Sequence, residues 1–492
     1  MAPSSRESRP LPTVVHLAAE FYPYARTGGL AEAASGLAAF QHRAGHHVVA
    51  FLPLYRSVRE AAKELVPHGE PFGVQVGPGL ELAQLFRVDG HTPGPAVYAI
   101  AHPHFFDRDG IYGDGNGDYP DNARRFAFFV LAALQVLPQF AAGPAILHAH
   151  DWHTALAPLY LRTTHAGLPG YAGIRTVLSV HNAGYQGHFP TATVADIGLP
   201  WYTYDWRCLE WYDRVNYLKG GLSTADLVVT VSQHHAEELR TPEGGFGLHD
   251  AFRGLGARFT GIVNGIDQSV WNPATDMQIT AKYSARDLEG KERCKAALQR
   301  AFRLPQRKRV PLLGFTGRLV KQKGLDIILK AYGLLNADVQ LVFLGMGERR
   351  YAEALAGLLA GLAVAAPDRI GVELHFTDRM EHRLMAGADI FLMPSEYEPC
   401  GLTQMRAQRY GTVPVGRRVG GIADTVEDGV TGFLFDGYAP SAFEEATFRA
   451  VARYQDRAAW TEMMTCGMGR DFGWERSVRL YQDAYRKLLE AP

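Results

Sequence analysis

The chain has 492 residues, 47% hydrophobic and 21% charged, a profile of packed cores rather than disorder. At about 150 residues per domain this length suggests roughly three domains, or two if they are large α/β units. Lys and Arg number 50 against 51 Asp and Glu, a net charge of -1, which argues against a nucleic-acid binder led by phosphate neutralisation.

The N-terminal MAPSSRESRP lacks the apolar core of a secretory signal. Cys208, Cys294, Cys400 and Cys466 are scattered, with no CxxC pair. Neither a disulfide framework nor a zinc cluster is expected, and a reducing compartment follows. The longest apolar run, Phe126 to Leu137, contains Gln135 and stops at Pro138. That is short of the ~20 residues that span a bilayer, so it reads as a buried helix. No membrane partner and a cytoplasmic location are expected.

In chain order, Val14–Ala18, His47–Leu52, Ala96–Ala101, Ala145–His150, Thr176–Val180 and Leu227–Val231 read as strands rich in Val, Ile and Leu, as strands buried on both faces are. Leu30–His42 and Thr154–Thr163 read as helices between them. The alternation restarts near residue 310. Strands Pro311–Thr316, Val339–Leu344, Val372–Phe376 and Ile390–Met393 alternate there with helices Leu325–Leu335, Arg350–Leu362 and Glu381–Ala386. Strand–helix alternation predicts parallel sheets covered on both faces. The fold class expected is α/β, with two Rossmann-like domains facing each other across a cleft. The default active site is then the carboxyl edges of the strands.

Five stretches at predicted strand ends carry polar chemistry. Arg26-Thr27-Gly28-Gly29-Leu30 opens a helix. It is either an anion-binding turn, with backbone N–H groups and Arg26 on a phosphate, or a tight turn beside a surface Arg. In His148-Ala149-His150-Asp151-Trp152-His153 the histidines do not converge as a metal set, and Asp151 is either a helix N-cap or a ligand for substrate hydroxyls. His181-Asn182-Ala183-Gly184-Tyr185-Gln186-Gly187 suits sugar hydroxyls, with Tyr185 as a stacking face. The alternative is a loop whose His and Asn cap their own backbone. Arg318 and Lys323, five residues apart at a strand-to-helix loop, fit a diphosphate. Glu396 and Glu398 share a Pro- and Gly-braced loop that runs into Cys400-Gly401-Leu402-Thr403, where a further helix can open. Both carboxylates lie on one loop, which does not suit hydrolysis by carboxyls flanking a bond. Glu398 reads as a substrate ligand and transition-state partner, and Cys400 as packing, since no paired His is evident.

Taken in order, RTGGLAE, HAHDWHTALAP, VHNAGYQGHF, LKGGLSTAD, GIVNGID, GRLVKQKGLD, PSEYEPCGLTQ and RYGTVPVGRRVGGIADTV resemble the bacterial glycogen synthase and plant starch synthase family, from about residue 13 to Trp474. The resemblance implies the GT-B fold. The N-terminal domain would span residues 12–268, on the glucan acceptor side, and be completed by a C-terminal helix 476–492. The donor-binding domain would span 269–475. It also implies an enzyme that transfers glucose from a nucleotide-glucose, ADP-glucose being the expected donor, to the non-reducing end of an α-1,4-glucan, with retention and without a bound metal or other cofactor. Arg318 and Lys323 match the family's diphosphate pair, and Glu398 the carboxylate beside the donor sugar. His181, through its backbone carbonyl, completes the implied catalytic set. Arg26, Gly28 and Gly29, with Cys400, Gly401, Leu402 and Thr403, match donor loops. Asp151, His181 and Asn264 match residues near the glucose, beside Asn182, Tyr185 and Gln186. Two positions depart from the pattern: Arg26 stands where the family has Lys, and Glu32 where it has Asp. They bear on donor preference, so a same-fold transferase using UDP-glucose or another acceptor is the alternative. A glucan phosphorylase would need a Schiff-base lysine, and a non-catalytic glucan-binding module would lack the charged donor residues.

Overall fold

The computed structural model describes residues 11–89, 94–114, 117–141, 143–346 and 350–490. The MAPSSRESRP segment lies outside them. Two compact units form. The first holds residues up to Val231, Ala236–Asn264 and the stretch from Trp474 onward, and the second holds Ser232–His235 and Gly265–Gly473.

In the first unit a ten-stranded sheet runs in the order Phe259–Gly261, Leu227–Thr230, Ile174–Val180, Ala145–His150, Thr13–Leu17, Val48–Pro53, Ala96–Ala101, Gly79–Val88, Leu65–Pro67, and the tenth strand, Phe72–Val76, pairs antiparallel with Gly79–Val88 off this path. Pairing is parallel from the first of these to Ala96–Ala101, and the last two strands are antiparallel. The strands Val48–Pro53 and Ala145–His150 are buried throughout, which is why they are uninterrupted apolar runs apart from their histidines. Helix Asn122–Val136 is buried almost all round. Its Arg125 is fully buried and donates to the carbonyls of Phe105 and Ile111, both at 2.8 Å.

The second unit has a six-stranded sheet ordered Ile370–Glu373, Gln340–Met346, Leu312–Arg318, Ile390–Met393, Val413–Arg417, Phe433–Phe435, all parallel. Numbered along the chain this is 3-2-1-4-5-6, the Rossmann order, and the parallel strands of the first unit repeat it and add a seventh after the sixth. Such sheets bind ligands where the order reverses, beyond the carboxyl ends of the two central strands. Those strands are Thr13–Leu17 and Ala145–His150 in the first unit, and Leu312–Arg318 and Ile390–Met393 in the second.

The last helix, Trp474–Glu490, belongs to the first unit. Trp474 packs so closely on Gly36 that a Cβ there would lie 2.6 Å from the indole Nε1. The helix shares an apolar cluster with Val14, Leu37, Phe40, Ile146 and Val177.

Two predicted helices differ from the structure for local reasons. The single helix expected over Leu325–Leu335 is two, Leu325–Leu329 and Tyr332–Asn336, with Ala331 non-helical between them. The Glu444 carboxylate accepts from Gly333 N at 2.6 Å and Leu334 N at 3.2 Å, capping the second piece from a distant helix. The helix expected from Thr154 starts at Leu156, because the Thr154 hydroxyl closes a turn on the backbone N–H and carbonyl of His150. Among the described residues no helix is long and apolar enough to cross a membrane.

Candidate active site

In the second unit the two loops at the reversal point lock together through charge. Strand Leu312–Arg318 leads into a single turn, Lys321–Lys323, and strand Ile390–Met393 leads into Pro394–Gly401. Lys321 Nζ lies 2.9 Å from Glu396 Oε1 and Lys323 Nζ 2.6 Å from Glu398 Oε2, two rungs of matching spacing. Between them Glu396 N donates to the Gln322 carbonyl at 2.8 Å. Ser395 Oγ adds a hydrogen bond to Glu398 Oε2 at 3.1 Å. Glu398 is buried and Glu396 is half-exposed.

Glycines let the loops approach this closely. Gly324 has φ +68, and a Cβ there would fall 1.9 Å from the Pro394 carbonyl oxygen. Gly420, at φ +41, stands in the same relation to the Glu398 carbonyl, with which Gly421 N makes a 3.1 Å hydrogen bond. The stretch expected to open a helix does so, over Thr403–Arg409, with Leu402 at its N-cap position and Gly401 at φ +68. Cys400 is buried and in no disulfide. Its carbonyl accepts from Gln404 Nε2 at 2.9 Å. Arg318, half-buried at the end of its strand, has no acidic partner among the described residues. The Lys323 stem packs over Gly317, next to it.

In the first unit the buried carboxylate of Glu20 organises the loop after Thr13–Leu17. It accepts from Thr27 N at 2.6 Å, Thr27 Oγ1 at 2.7 Å, Gly28 N at 3.1 Å and the Tyr112 hydroxyl at 2.6 Å. Gly28 holds extended backbone, and helix Gly29–Arg43 begins directly after it. Arg26 Nη2 sits 3.0 Å from Glu32 Oε1, so the two residues that depart from the family pattern form an ion pair.

Asp151 does not cap the following helix, whose N-cap position is Ala155. At φ +57 its carboxylate instead crosses to the neighbouring strand end, where Oδ1 accepts from His181 N at 2.6 Å and Asn182 N at 3.3 Å. Burial pushes its carboxyl up to about 7, against the pull of those two N–H groups. His181 is half-buried and Tyr185 offers an exposed ring. Asn264 is buried at the last residue of this part of the unit.

One predicted sugar ligand, Gln186, is spent inside the fold, and another, Asn182, has its side-chain oxygen engaged. Gln186 is buried, donating to the carbonyls of Ala183 and Phe246 at 2.9 Å each and accepting from Asn216 at 2.7 Å. It pins the loop and has no amide hydrogen left for a sugar. Asn182 Oδ1 accepts from Gly184 N at 3.0 Å, capping its own turn.

The description "Starch synthase catalytic domain" matches residues 13–254, and "Glycosyl transferases group 1" matches 299–464. Glycogen synthase of Syntrophotalea carbinolica is 44% identical over 480 residues, covering 96% of this chain and 98% of that one. The chain belongs to the glycogen and starch synthase family. Glycogen synthase of Anaeromyxobacter dehalogenans strain 2CP-C is 43% identical over 489 residues, covering 96% and 99%. Among solved structures, the catalytic domain of starch synthase IV from Arabidopsis thaliana, bound to ADP and acarbose, superposes with a TM-score of 0.90 at 33% identity, covering 98% of this chain and 100% of that one. Sucrose-phosphate synthase from Thermosynechococcus elongatus shares the fold, with a TM-score of 0.63 at 18% identity over 98% and 100%. For this family member the α/β class with two Rossmann-like units, the GT-B fold, holds as the sequence predicts, and the chain is a glycosyltransferase.

Sequence reasoning missed Glu20, Gln41 and His16. For Glu20 a signal exists, a lone carboxylate at a strand's carboxyl end seven residues before Thr27-Gly28-Gly29. For His16 the signal is its place on the strand beside Ala145–His150, in register with His148, which only the strand order reveals.

Proposed function

We propose that the chain transfers glucose from ADP-glucose to the non-reducing end of an α-1,4-glucan, with retention at the anomeric carbon. The observation that carries this reading is the turn at the second unit's reversal point, where Lys323 pairs with Glu398 and packs over Gly317, the residue before Arg318, which has no acidic partner among the described residues. A leaving nucleoside diphosphate gathers charge on its terminal phosphate. Fixed cations at that point lower the barrier without reorganisation at the moment of reaction. Arg318 and Lys323 take this role in place of a metal ion.

In the reaction the bond from C1 to the diphosphate oxygen breaks, and C1 bonds to the acceptor's 4-hydroxyl oxygen on the same face. The hydroxyl proton passes to the departing phosphate. Glu398 orients the glucose and offsets positive charge at C1. The ADP and acarbose held by the starch synthase IV domain support an adenine nucleotide and a glucan-like acceptor.

The test is to incubate the protein with ADP-glucose and a maltooligosaccharide and digest the product with β-amylase. Chains that lengthen by glucose and are cleaved to maltose support transfer with retention to the non-reducing end. Lengthened chains that resist the enzyme contradict it.

A further inference from the structure

Behind His181 runs a line of buried side chains that the proposed chemistry leaves unused. His181 Nε2 lies 2.9 Å from His150 Nδ1. His150 Nε2 lies 2.9 Å from His16 Nδ1, and His16 Nε2 lies 2.8 Å from Gln41 Oε1. His150, His16 and Gln41 are 0% exposed, while His181 at the strand edge is half-buried. The other half of the Gln41 amide donates to the Tyr485 hydroxyl at 2.9 Å. Tyr485 sits on the last helix, and its hydroxyl is 2.8 Å from His148 Nδ1, whose Nε2 meets Ser179 Oγ at 2.7 Å.

His16, His148 and His150 are close enough together to suggest a cation site. All their ring nitrogens are already in hydrogen bonds, so a metal would have to break several of these bonds. Burial lowers each ring's proton affinity, His16 to about 4 and His181 to about 3, with His148 and His150 well below the ordinary value. The rings are therefore neutral, each with one donor and one acceptor nitrogen.

Neutral rings in series have only two consistent proton arrangements, and the end of the line selects one. Gln41 Oε1 can only accept, so His16 carries its proton on Nε2 and accepts at Nδ1. His150 then donates from Nε2 and accepts at Nδ1, and His181 must donate from Nε2. We propose that Gln41, His16 and His150 are positioning residues that hold His181 in its Nε2–H form, leaving Nδ1 as a hydrogen-bond acceptor for a substrate hydroxyl. His181 Nδ1 is the one ring nitrogen of the line with no hydrogen-bond partner among the described residues. Tyr485 fixes the Gln41 amide and so links the last helix to the site. The substrate role rests on the glucosyl-transfer reading, whereas the tautomer does not.

The test uses the full chain grown with ring-15N histidine and read without ligand at pH 7. Two-bond 1H–15N correlations report each tautomer, and His181→Asn assigns the His181 signal. The expected result is His181 protonated on Nε2 in the parent chain, and a mixture of tautomers in Tyr485→Phe and Gln41→Met. Both variants should also lose about ten- to a hundredfold in kcat for glucose transfer, as groups that orient a functional ring do. A parent His181 protonated on Nδ1 overturns the proposal, as does an unchanged His181 tautomer in the variants. Coordination of added Zn2+ by the buried rings also overturns it. If the variants fail to fold, the parent spectrum decides alone. If glucose transfer is absent while the tautomer is as expected, the functional reading fails and the relay stands.

Discussion

Lys323 Nζ and Glu398 Oε2, 2.6 Å apart, join the loops that follow the two central strands of the second unit. Glu398 is nearly buried and Lys323 only partly so. A diphosphate arriving here meets a cation already engaged with a carboxylate, and Arg318 adds charge that no acidic residue among the described ones neutralises. Replacing Lys323 or Arg318 by Met is expected to lower kcat about 10²- to 10³-fold, the range for removing one preorganised charge stabiliser. Lys323→Met also leaves Glu398 buried without its cation, so its thermal midpoint should fall by several degrees while that of Arg318→Met barely moves. Initial rates with ADP-glucose and glycogen, beside thermal melts, check both.

Gly324 should not tolerate a side chain. Its positive φ costs a non-glycine residue about 1–2 kcal/mol, and the Pro394 carbonyl blocks the Cβ. Gly324→Ala is expected to shift the loop carrying Glu398, lowering both Tm and kcat. Gly357→Ala, inside helix Arg350–Ala365 with nothing within 4 Å, should leave kcat unchanged and raise Tm slightly, as Ala replacing Gly in a helix does. Calorimetry and rate measurements on the two variants make the comparison.

Asp151 gives a pH dependence of definite sign. Its carboxyl is pushed from 3.8 up to about 7 by burial. Between those values the folded chain holds a proton that the unfolded chain has released, so raising the pH through this window weakens the fold. At about 1.4 kcal/mol per unit the full effect is of order 4 kcal/mol above pH 7, and nothing below pH 4. Asp151→Asn keeps an acceptor for His181 N and suits the positive φ. Its stability relative to the parent should therefore rise from pH 4 to pH 7 and then level off. Buried histidines impose the opposite slope on both chains and cancel in the difference. Denaturant midpoints across pH 4–8 measure it.

Arg26 and Glu32 are expected to act as a pair. Each single change, Arg26→Lys or Glu32→Asp, alters the reach of one partner across their 3.0 Å contact. The single variants should raise KM for the donor, and the double variant should recover part of the loss. Both side chains are partly exposed, so a coupling of about 0.5–1 kcal/mol is expected from a double-mutant cycle.

The sheet strands were legible because burial on both faces demands unbroken Val, Ile and Leu, as at Val48–Pro53. The chemistry at strand ends was legible where each loop carries its own charged groups, as with Arg318 and Lys323 after one strand and Glu398 after another. What depends on distant partners was not. Gln186 looks like a sugar ligand until Asn216 and Phe246, 30 and 60 residues away, take its amide. Asp151 looks like a cap until the neighbouring strand brings His181 N to it. Glu20 meets Tyr112 across 92 residues, and His16 meets His150 across 134. The break at Ala331 likewise needs Glu444 from another helix.

The central claim is glucosyl transfer from ADP-glucose to an α-1,4-glucan, and a donor comparison tests it most directly. Purified protein is given glycogen with radiolabelled ADP-glucose or UDP-glucose, and label incorporated into the polymer is counted. The account predicts incorporation from ADP-glucose with a kcat/KM well above that from UDP-glucose, abolished in Glu398→Ala. Preference for UDP-glucose, or glycogen left unlabelled by both donors, would contradict it.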